Sequence, residues 1–243
     1  MILRRVIHHV RNQEWTAIVI DLLIVVVGVY LGIQAQAWNT ERADREIERQ
    51  YLLSLHGEIS GMIESNNSRV AFFRDQLQDL KSVAKMFAVT GVDLNLVTRH
   101  CIAITNSHIY VGRILAPPTI EELHSTGRLQ LISNNALRTV IVSYSQTIEG
   151  YRQLNTDIQS DRQILSRAHP SLITLNPQDG DDAVCKFEAM GQSPTFLNHL
   201  ADNIYRYEAY VNAIVIGQQE LRVSLHSSLD RELGISHSDD VSE

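Results

Sequence analysis

Residues 16–37 are the most apolar stretch of the chain and read TAIVIDLLIVVVGVYLGIQAQA. About 20 predominantly apolar residues are enough for a helix to cross the hydrocarbon core of a bilayer. Trp15 and Trp38 flank the stretch, and tryptophan rings favour the two membrane interfaces. We therefore predict a transmembrane helix at residues 16–38, anchored by these tryptophans and preceded by a basic N-terminal tail at residues 1–15.

Two alternatives to a transmembrane helix remain open. The stretch could be a signal peptide cleaved near the AQA motif, although its exit into QAQAWNTER continues as a helical pattern. It could also be a buried core helix, but the chain has no comparably apolar segment to surround it. Both alternatives explain the composition less well than a membrane span.

The basic residues on the two sides of the span do not decide its orientation. Three arginines precede it and three follow it closely: Arg4, Arg5, Arg11, Arg42, Arg45 and Arg49. A short basic tail usually stays inside, whereas a long domain can be exported whatever its own charge. We expect a cytoplasmic N-terminus and an exported C-terminal domain.

Small residues and one acid form a possible packing face on the span. On a helical wheel, Asp21, Gly28, Gly32 and Ala35 lie close to one line. The GxxxG step lets two helix backbones approach closely, which favours a homo-oligomer or a membrane-protein partner. Asp21 would either hydrogen-bond across that face or, being near Trp15, extend to water at the interface; the sequence leaves both open.

Apolar residues beyond the span recur at intervals of three and four, as in helices packed on other helices. The first such run extends from Leu55 to Phe87 and has one polar member, Asn66, which could instead mark a turn. Two further runs extend from Leu137 to Leu165 and from Leu197 to Leu225. No segment alternates with period two, so we predict an all-α fold without a sheet.

These runs predict a transmembrane helix that continues into an antiparallel helical bundle. The bundle domain covers residues 39–233, with a loop at 170–194 and a frayed tail at 234–243. Within it we predict a C-cap at Gly91, a capping box from Thr119 to Glu122, and a Ser193 cap before Pro194.

The sequence contains no recognisable catalytic, cofactor or metal motif. The ten histidines lack HxxxH and HExxH spacing, and the NPQDGDD segment lacks the terminal glutamate of an EF-hand loop. No P-loop, GxGxxG or GxSxG motif occurs. The net charge of −7 argues against a nucleic-acid partner. We therefore expect neither an enzyme nor a cofactor-binding protein.

The two cysteines, Cys101 and Cys185, have two interpretations. In an exported domain they could form a disulfide, whereas in a cytoplasmic domain they would be buried thiols. Five tyrosines at helical positions could line a pocket between helices, but such aromatics more often belong to a core. These tyrosines are Tyr144, Tyr151, Tyr205, Tyr207 and Tyr210.

Two stretches resemble an uncharacterised family of bacterial single-span membrane proteins. In the first, Asp21, Gly28 and Gln34 precede Trp-Asn-x-Glu-Arg at residues 38–42. The second, TIEELHSTGRLQLISNNALRTVIVSYS at residues 119–145, is similar to that family's short helix, Ser-Gly or Thr-Gly turn, Leu-x-Leu-Ile and Leu-Arg helix start. Together they cover about a fifth of the chain. Gln36-Ala37 departs from the more polar pair that often precedes the tryptophan.

The resemblance implies a bacterial inner-membrane protein and brings no known activity. With the predicted orientation, the bundle would be periplasmic. The main hypothesis is a non-enzymatic binding or sensory-type accessory module that contacts the lipid bilayer and oligomerises through the span. The alternative is a purely structural or assembly subunit of a cell-envelope complex.

Overall fold

A computed structural model describes residues 15–88, 98–110, 112, 114–160 and 162–237. The chain divides into two compact units, residues 1–50 and 51–243. Residues 1–14 of the predicted tail, the predicted C-cap Gly91 and residues 238–243 lie outside the described ranges. The second unit is called the helical domain below.

The structure is mainly helical. In chain order its elements are α1 (Trp15–Ala88), α2 (Thr98–Asn106), α3 (Pro118–Ser125), a 3₁₀ turn (Arg128–Leu131), α4 (Asn135–Ser160), α5 (Leu165–Ala168), β1 (Ile173–Asn176), β2 (Asp179–Cys185), α6 (Phe187–Gly191), α7 (Pro194–Ala209), a π-helical segment (Tyr210–Ile216) and α8 (Gly217–Leu233).

The first unit contains the apolar part of α1. Large apolar side chains from Val19 to Ile33 are each between 49 and 64% exposed, so no other part of the described chain covers them. Within the described residues, α1 is the one helix long and apolar enough to cross a membrane. The predicted apolar N-terminal helix is thus present, and its exposed side chains suit a lipid environment.

The part of α1 in the helical domain supplies one side of the core. Leu55, Ile59, Phe73 and Leu80 are buried along it, at the threes and fours of the predicted run, and Val83 is buried where that run had Ala84 instead. The helix also passes through Asn66 without a turn. Asn66 is 6% exposed and donates a hydrogen bond to the Gln219 side chain at 3.0 Å, which explains a polar residue in this stripe.

The other side of the core comes from α4, α7, the π-helical segment and α8. α4 packs against both α8 and the π-helical segment. Its residues Ile141, Tyr144 and Ile148 are fully buried, as are Phe196 and Tyr207 of α7. The predicted helical runs therefore do face a common core, although α4 ends at Ser160, before the end of its predicted run.

A small sheet occupies the predicted loop at 170–194, so the prediction of no sheet was wrong. β1 and β2 are antiparallel, with Ile173 opposite Cys185 and Leu175 opposite Ala183. The strands are short, and β2 begins with the polar residues Asp-Gly-Asp-Asp. Asp and Gly have low strand propensity, so such a pattern carries little strand signal. Packing of α2 and α5 against the hairpin supplies the stability that propensity does not.

The predicted capping box of α3 was also wrong. Pro117 is the N-cap residue and its side chain offers no cap. Instead Glu58 of α1 accepts hydrogen bonds from the Thr119 hydroxyl at 2.7 Å and the Thr119 N–H at 3.1 Å. A carboxylate from a distant helix thus satisfies the free N–H group that the local sequence was expected to satisfy.

Candidate functional site

Three histidines and one aspartate of the helical domain converge on one point. His56 lies on α1, His226 and Asp230 lie on α8, and His237 follows α8. The separation of four residues places His226 and Asp230 on the same side of their helix. These four side chains are called the histidine cluster below.

The end of α8 explains how His237 reaches Asp230. Gly234 adopts a left-handed backbone conformation with φ of 67°, which glycine adopts without steric cost. The N–H of Ile235 then donates to the carbonyl oxygen of Asp230 at 3.0 Å, so the chain turns back after the helix. The glycine cap therefore sets the position of His237.

The Asp230 carboxylate is the common acceptor of the histidine cluster. One oxygen, Oδ1, receives His56 Nε2 at 2.9 Å and His237 Nε2 at 3.0 Å. The other oxygen, Oδ2, receives His226 Nδ1 at 3.0 Å. The three imidazoles thus converge on one carboxylate from three separate segments of the chain.

The cluster lies at the edge of the core and keeps one open side. The side chains of His56, His226 and Asp230 are only 15 or 16% exposed, whereas His237 is 55% exposed. The His56 ring centroid is 4.4 Å from that of His226 and 5.8 Å from that of His237. A small ion could therefore enter from the side of His237.

The electrostatics of the cluster favour a charged Asp230 carboxylate beside a neutral His226 imidazole. Burial opposes ionisation of Asp230, but the hydrogen bonds from His237 and His56 outweigh it and hold the pKa of the carboxyl below its usual value. Burial also lowers the pKa of His226, despite the attraction of Asp230. The cluster thus pairs an Asp230 carboxylate that favours its anionic form with a His226 imidazole that favours its neutral form.

The histidine cluster has the residue types and proximity of a metal-binding group. Its four donor atoms lie within 4.8 Å of one another. Neutral imidazole nitrogen and carboxylate oxygen are ordinary zinc ligands. In the described part of the chain, this is the one group of three or more such side chains with donors so close.

The predicted packing face of the span is exposed on α1. Asp21, Gly28, Gly32 and Ala35 are all exposed. A Cβ atom added at Gly28 or Gly32 would meet nothing within 4 Å, so both positions leave room for another helix. Trp38 is 67% exposed.

Trp15, the other predicted anchor, is the first residue of α1. Its side chain lies outside what the structure describes.

Cys101 and Cys185 are joined by a disulfide, with their Cα atoms 5.7 Å apart. The bond ties α2 to the end of β2 across 84 residues of sequence. Neither sulfur is therefore a free thiolate, the form in which cysteine acts as a nucleophile or binds metal.

The predicted tyrosines mostly belong to the core. Tyr144, Tyr207 and Tyr210 are at most 1% exposed, whereas Tyr205 is 75% exposed. The Tyr210 hydroxyl accepts a hydrogen bond from Arg69 at 2.8 Å, and burial raises the pKa of Tyr207 above its usual value. These contacts agree with the interpretation of the tyrosines as packing residues rather than pocket lining.

The histidine cluster was not predicted from the sequence. His56 and Asp230 are separated by 174 residues, so no short motif contains both. The available signal was the pair His226 and Asp230, four residues apart on a predicted helix and followed by Gly234 and His237. His226 and Asp230 form an HxxxD pair, which matches neither the HxxxH nor the HExxH pattern.

The chain has no significant match to a protein-family model, a curated protein or a solved structure.

Proposed function

We propose that this chain is a single-span protein of a bacterial inner membrane with a periplasmic antiparallel helical bundle. The bundle acts as a non-enzymatic binding module of an accessory or sensory type. Its recognition element is the histidine cluster, which is the single observation that carries this proposal. Four side chains from three segments present charged and polar atoms at an accessible edge of the core.

The membrane anchor is supported by the exposed apolar side chains of α1. Leaving such a continuous apolar surface in water is unfavourable, because each large apolar side chain gains about 1.5–3 kcal/mol on burial. The resemblance of residues 21–42 to a bacterial span motif supports the same placement.

A periplasmic helical domain is supported by the disulfide between Cys101 and Cys185. Disulfides persist in oxidising compartments such as the bacterial periplasm and are rare in the cytoplasm. A reporter fused after residue 243 that is active only in the periplasm tests this orientation. Activity of a cytoplasm-only reporter at the same position would reverse it.

Native mass spectrometry of the full chain, released from lipid nanodiscs, tests the binding function. We expect an additional mass on the wild-type protein that is absent from a variant with His226→Ala and Asp230→Ala. A chain with His124→Ala is the matched control, since His124 is an exposed histidine outside the cluster. The same added mass on the wild type and on both variants, or no added mass on any of them, would contradict the proposed binding site.

Self-association through the span is the second part of the proposal. Gly28→Leu with Gly32→Leu should weaken dimerisation at least several-fold in a membrane reporter assay, because the added side chains keep the backbones apart. A Cβ atom at either position meets no neighbouring group of the chain within 4 Å, so the added side chains have room without repacking the domain. The control is Val26→Leu with Ile33→Leu, on the opposite side of the helical wheel. If all variants associate equally, the face formed by Gly28 and Gly32 has no part in self-association.

A structural or assembly subunit is the alternative function. The closely packed tyrosines of the core favour it, because their rings are buried and lie beside one another. Tyr207 and Tyr210 have ring centroids 6.5 Å apart, and both pack near Phe73. Cross-linking in native membranes distinguishes the two functions. A scaffold keeps the same partners when His226 and Asp230 are replaced, whereas a binding module changes them.

A further inference from the structure

We propose that His56, His226, Asp230 and His237 together bind one divalent transition-metal ion of the zinc class. This inference rests on the proposed binding function and names its ligand. The ion would also have a structural role, because it would join α1, α8 and the segment after α8.

The number and type of donors match a closed zinc site. Structural zinc sites are four-coordinate and tetrahedral, and three imidazole nitrogens with one carboxylate oxygen fill that shell. Magnesium and calcium prefer sets made of oxygen atoms, so three nitrogens disfavour both. With all four positions occupied by protein, the ion would have no open position for a substrate, which agrees with a non-enzymatic role.

The geometry requires a small adjustment. Donor atoms around a tetrahedral zinc ion are about 3.3 Å apart, given bonds of roughly 2.0–2.1 Å. In the cluster they lie within 4.8 Å of one another, and one nitrogen of each ring already points at Asp230. Rotation of the side chains that moves each donor atom by about 1 Å would bring the four donors to the spacing around an ion.

The crowding of the cluster exceeds what a structural hydrogen bond needs. One hydrogen bond would suffice to hold two segments together, yet here three rings from three segments stand 4.4 to 5.8 Å apart around Asp230. His237 adds the third donor although it is more than half exposed and lies beyond the helix cap. An ion shared by all four groups accounts for this convergence.

A metal ion would fasten the segment after α8, through His237, to the core. His237 is reached through Gly234 and a single backbone hydrogen bond from Ile235 to Asp230. Since the unfolded chain does not hold these four donors together, metal binding should also stabilise the folded domain.

Metal titration of the full chain in detergent tests the inference. The background carries His8→Ala and His9→Ala, because that adjacent pair could bind metal by itself, and no histidine tag is used. After removal of metal with a chelator, Zn²⁺ is added at neutral pH against a chromophoric competitor. Co²⁺ is added separately, since its visible spectrum distinguishes tetrahedral from octahedral coordination.

We expect one equivalent of Zn²⁺, a tetrahedral Co²⁺ spectrum and a higher thermal midpoint with metal. His226→Ala and Asp230→Ala should each weaken Zn²⁺ binding more than tenfold, and His237→Ala should do so while also exposing the terminal segment to protease. His124→Ala and His199→Ala, outside the cluster, are the controls and should bind as the background does. Asp230→Asn removes the charge and keeps the shape of the side chain. Weak Zn²⁺ binding by this variant while it is folded shows that the loss of binding is not a loss of folding.

Three results would overturn the inference: no binding to the folded background chain, equal binding by the cluster variants, or an octahedral Co²⁺ spectrum. Such a result leaves the membrane anchor and its orientation untouched, because the reporter fusion tests those separately. Conversely, metal binding by a chain whose C-terminal reporter is cytoplasmic would support the site and contradict the proposed location.

Discussion

At the scale of single residues, Asn203 shows how one polar side chain can hold several segments of the fold together. Asn203 is fully buried in α7. Its amide nitrogen donates to Ser107 Oγ at 2.9 Å and to the Gln163 carbonyl at 2.8 Å. Its oxygen accepts from the Gln163 N–H at 3.1 Å. It therefore connects α7 to the chain after α2 and to the chain before α5.

Replacing Asn203 by alanine should destabilise the helical domain by about 2–4 kcal/mol. Each buried polar group left without a partner costs roughly 1–3 kcal/mol. Urea unfolding monitored by circular dichroism measures the change.

Asn198→Ala is the matched control for this measurement, because Asn198 is exposed on the same helix. It should change the stability by no more than about 0.5 kcal/mol. Equal effects of the two substitutions would mean that the three hydrogen bonds of Asn203 add nothing to stability.

At the scale of elements, the helix starts of α3 and α7 differ, although a local side-chain cap was predicted at both. At α7, Ser193 Oγ accepts a hydrogen bond from the Phe196 N–H at 3.3 Å, and Pro194 occupies the first helical position, as predicted. At α3, Glu58 of a distant helix accepts from the Thr119 N–H, the contact that Glu122 was expected to form. Caps are thus predictable where no competing side chain packs nearby.

Ser193→Ala should destabilise the domain by about 1 kcal/mol, because it removes the side-chain acceptor at the start of α7. Thermal or urea unfolding followed by circular dichroism measures the loss. Ser193→Asp retains an acceptor and should stay close to the wild type. If the alanine variant is as stable as the aspartate variant, the cap does not contribute.

At the scale of the whole helical domain, the disulfide is the longest covalent constraint in the described structure. It links residues 84 positions apart and fastens the hairpin to α2. Because a cross-link restricts the unfolded chain, its removal typically costs 2–5 kcal/mol in a small exported domain.

A variant with Cys101→Ser and Cys185→Ser should therefore lose about 2–5 kcal/mol of unfolding free energy. Reducing agent should lower the stability of the wild type in urea and leave this variant unchanged. If the reduced wild type unfolds at the same urea concentration as the oxidised protein, the bond has no stabilising role.

Some of the fold could be predicted from sequence because it depends on short-range patterns. The apolar helix at residues 16–38 follows from composition over one continuous stretch. The buried stripe of α1 follows from the 3.6-residue period, which places residues three and four apart on one side. Each of these features requires only neighbouring residues along one helix.

Only the tertiary structure decided the hairpin and the histidine cluster. β2 has little strand character of its own, and α2, α5 and the disulfide hold it in place. His56 meets His226, Asp230 and His237 because α1 and α8 pack in one core, across 174 residues of sequence between His56 and Asp230. The sequence by itself determined the long helices and the apolar N-terminal stretch, because those patterns are local. The tertiary structure brought the distant side chains together, because packing alone sets which helix faces meet.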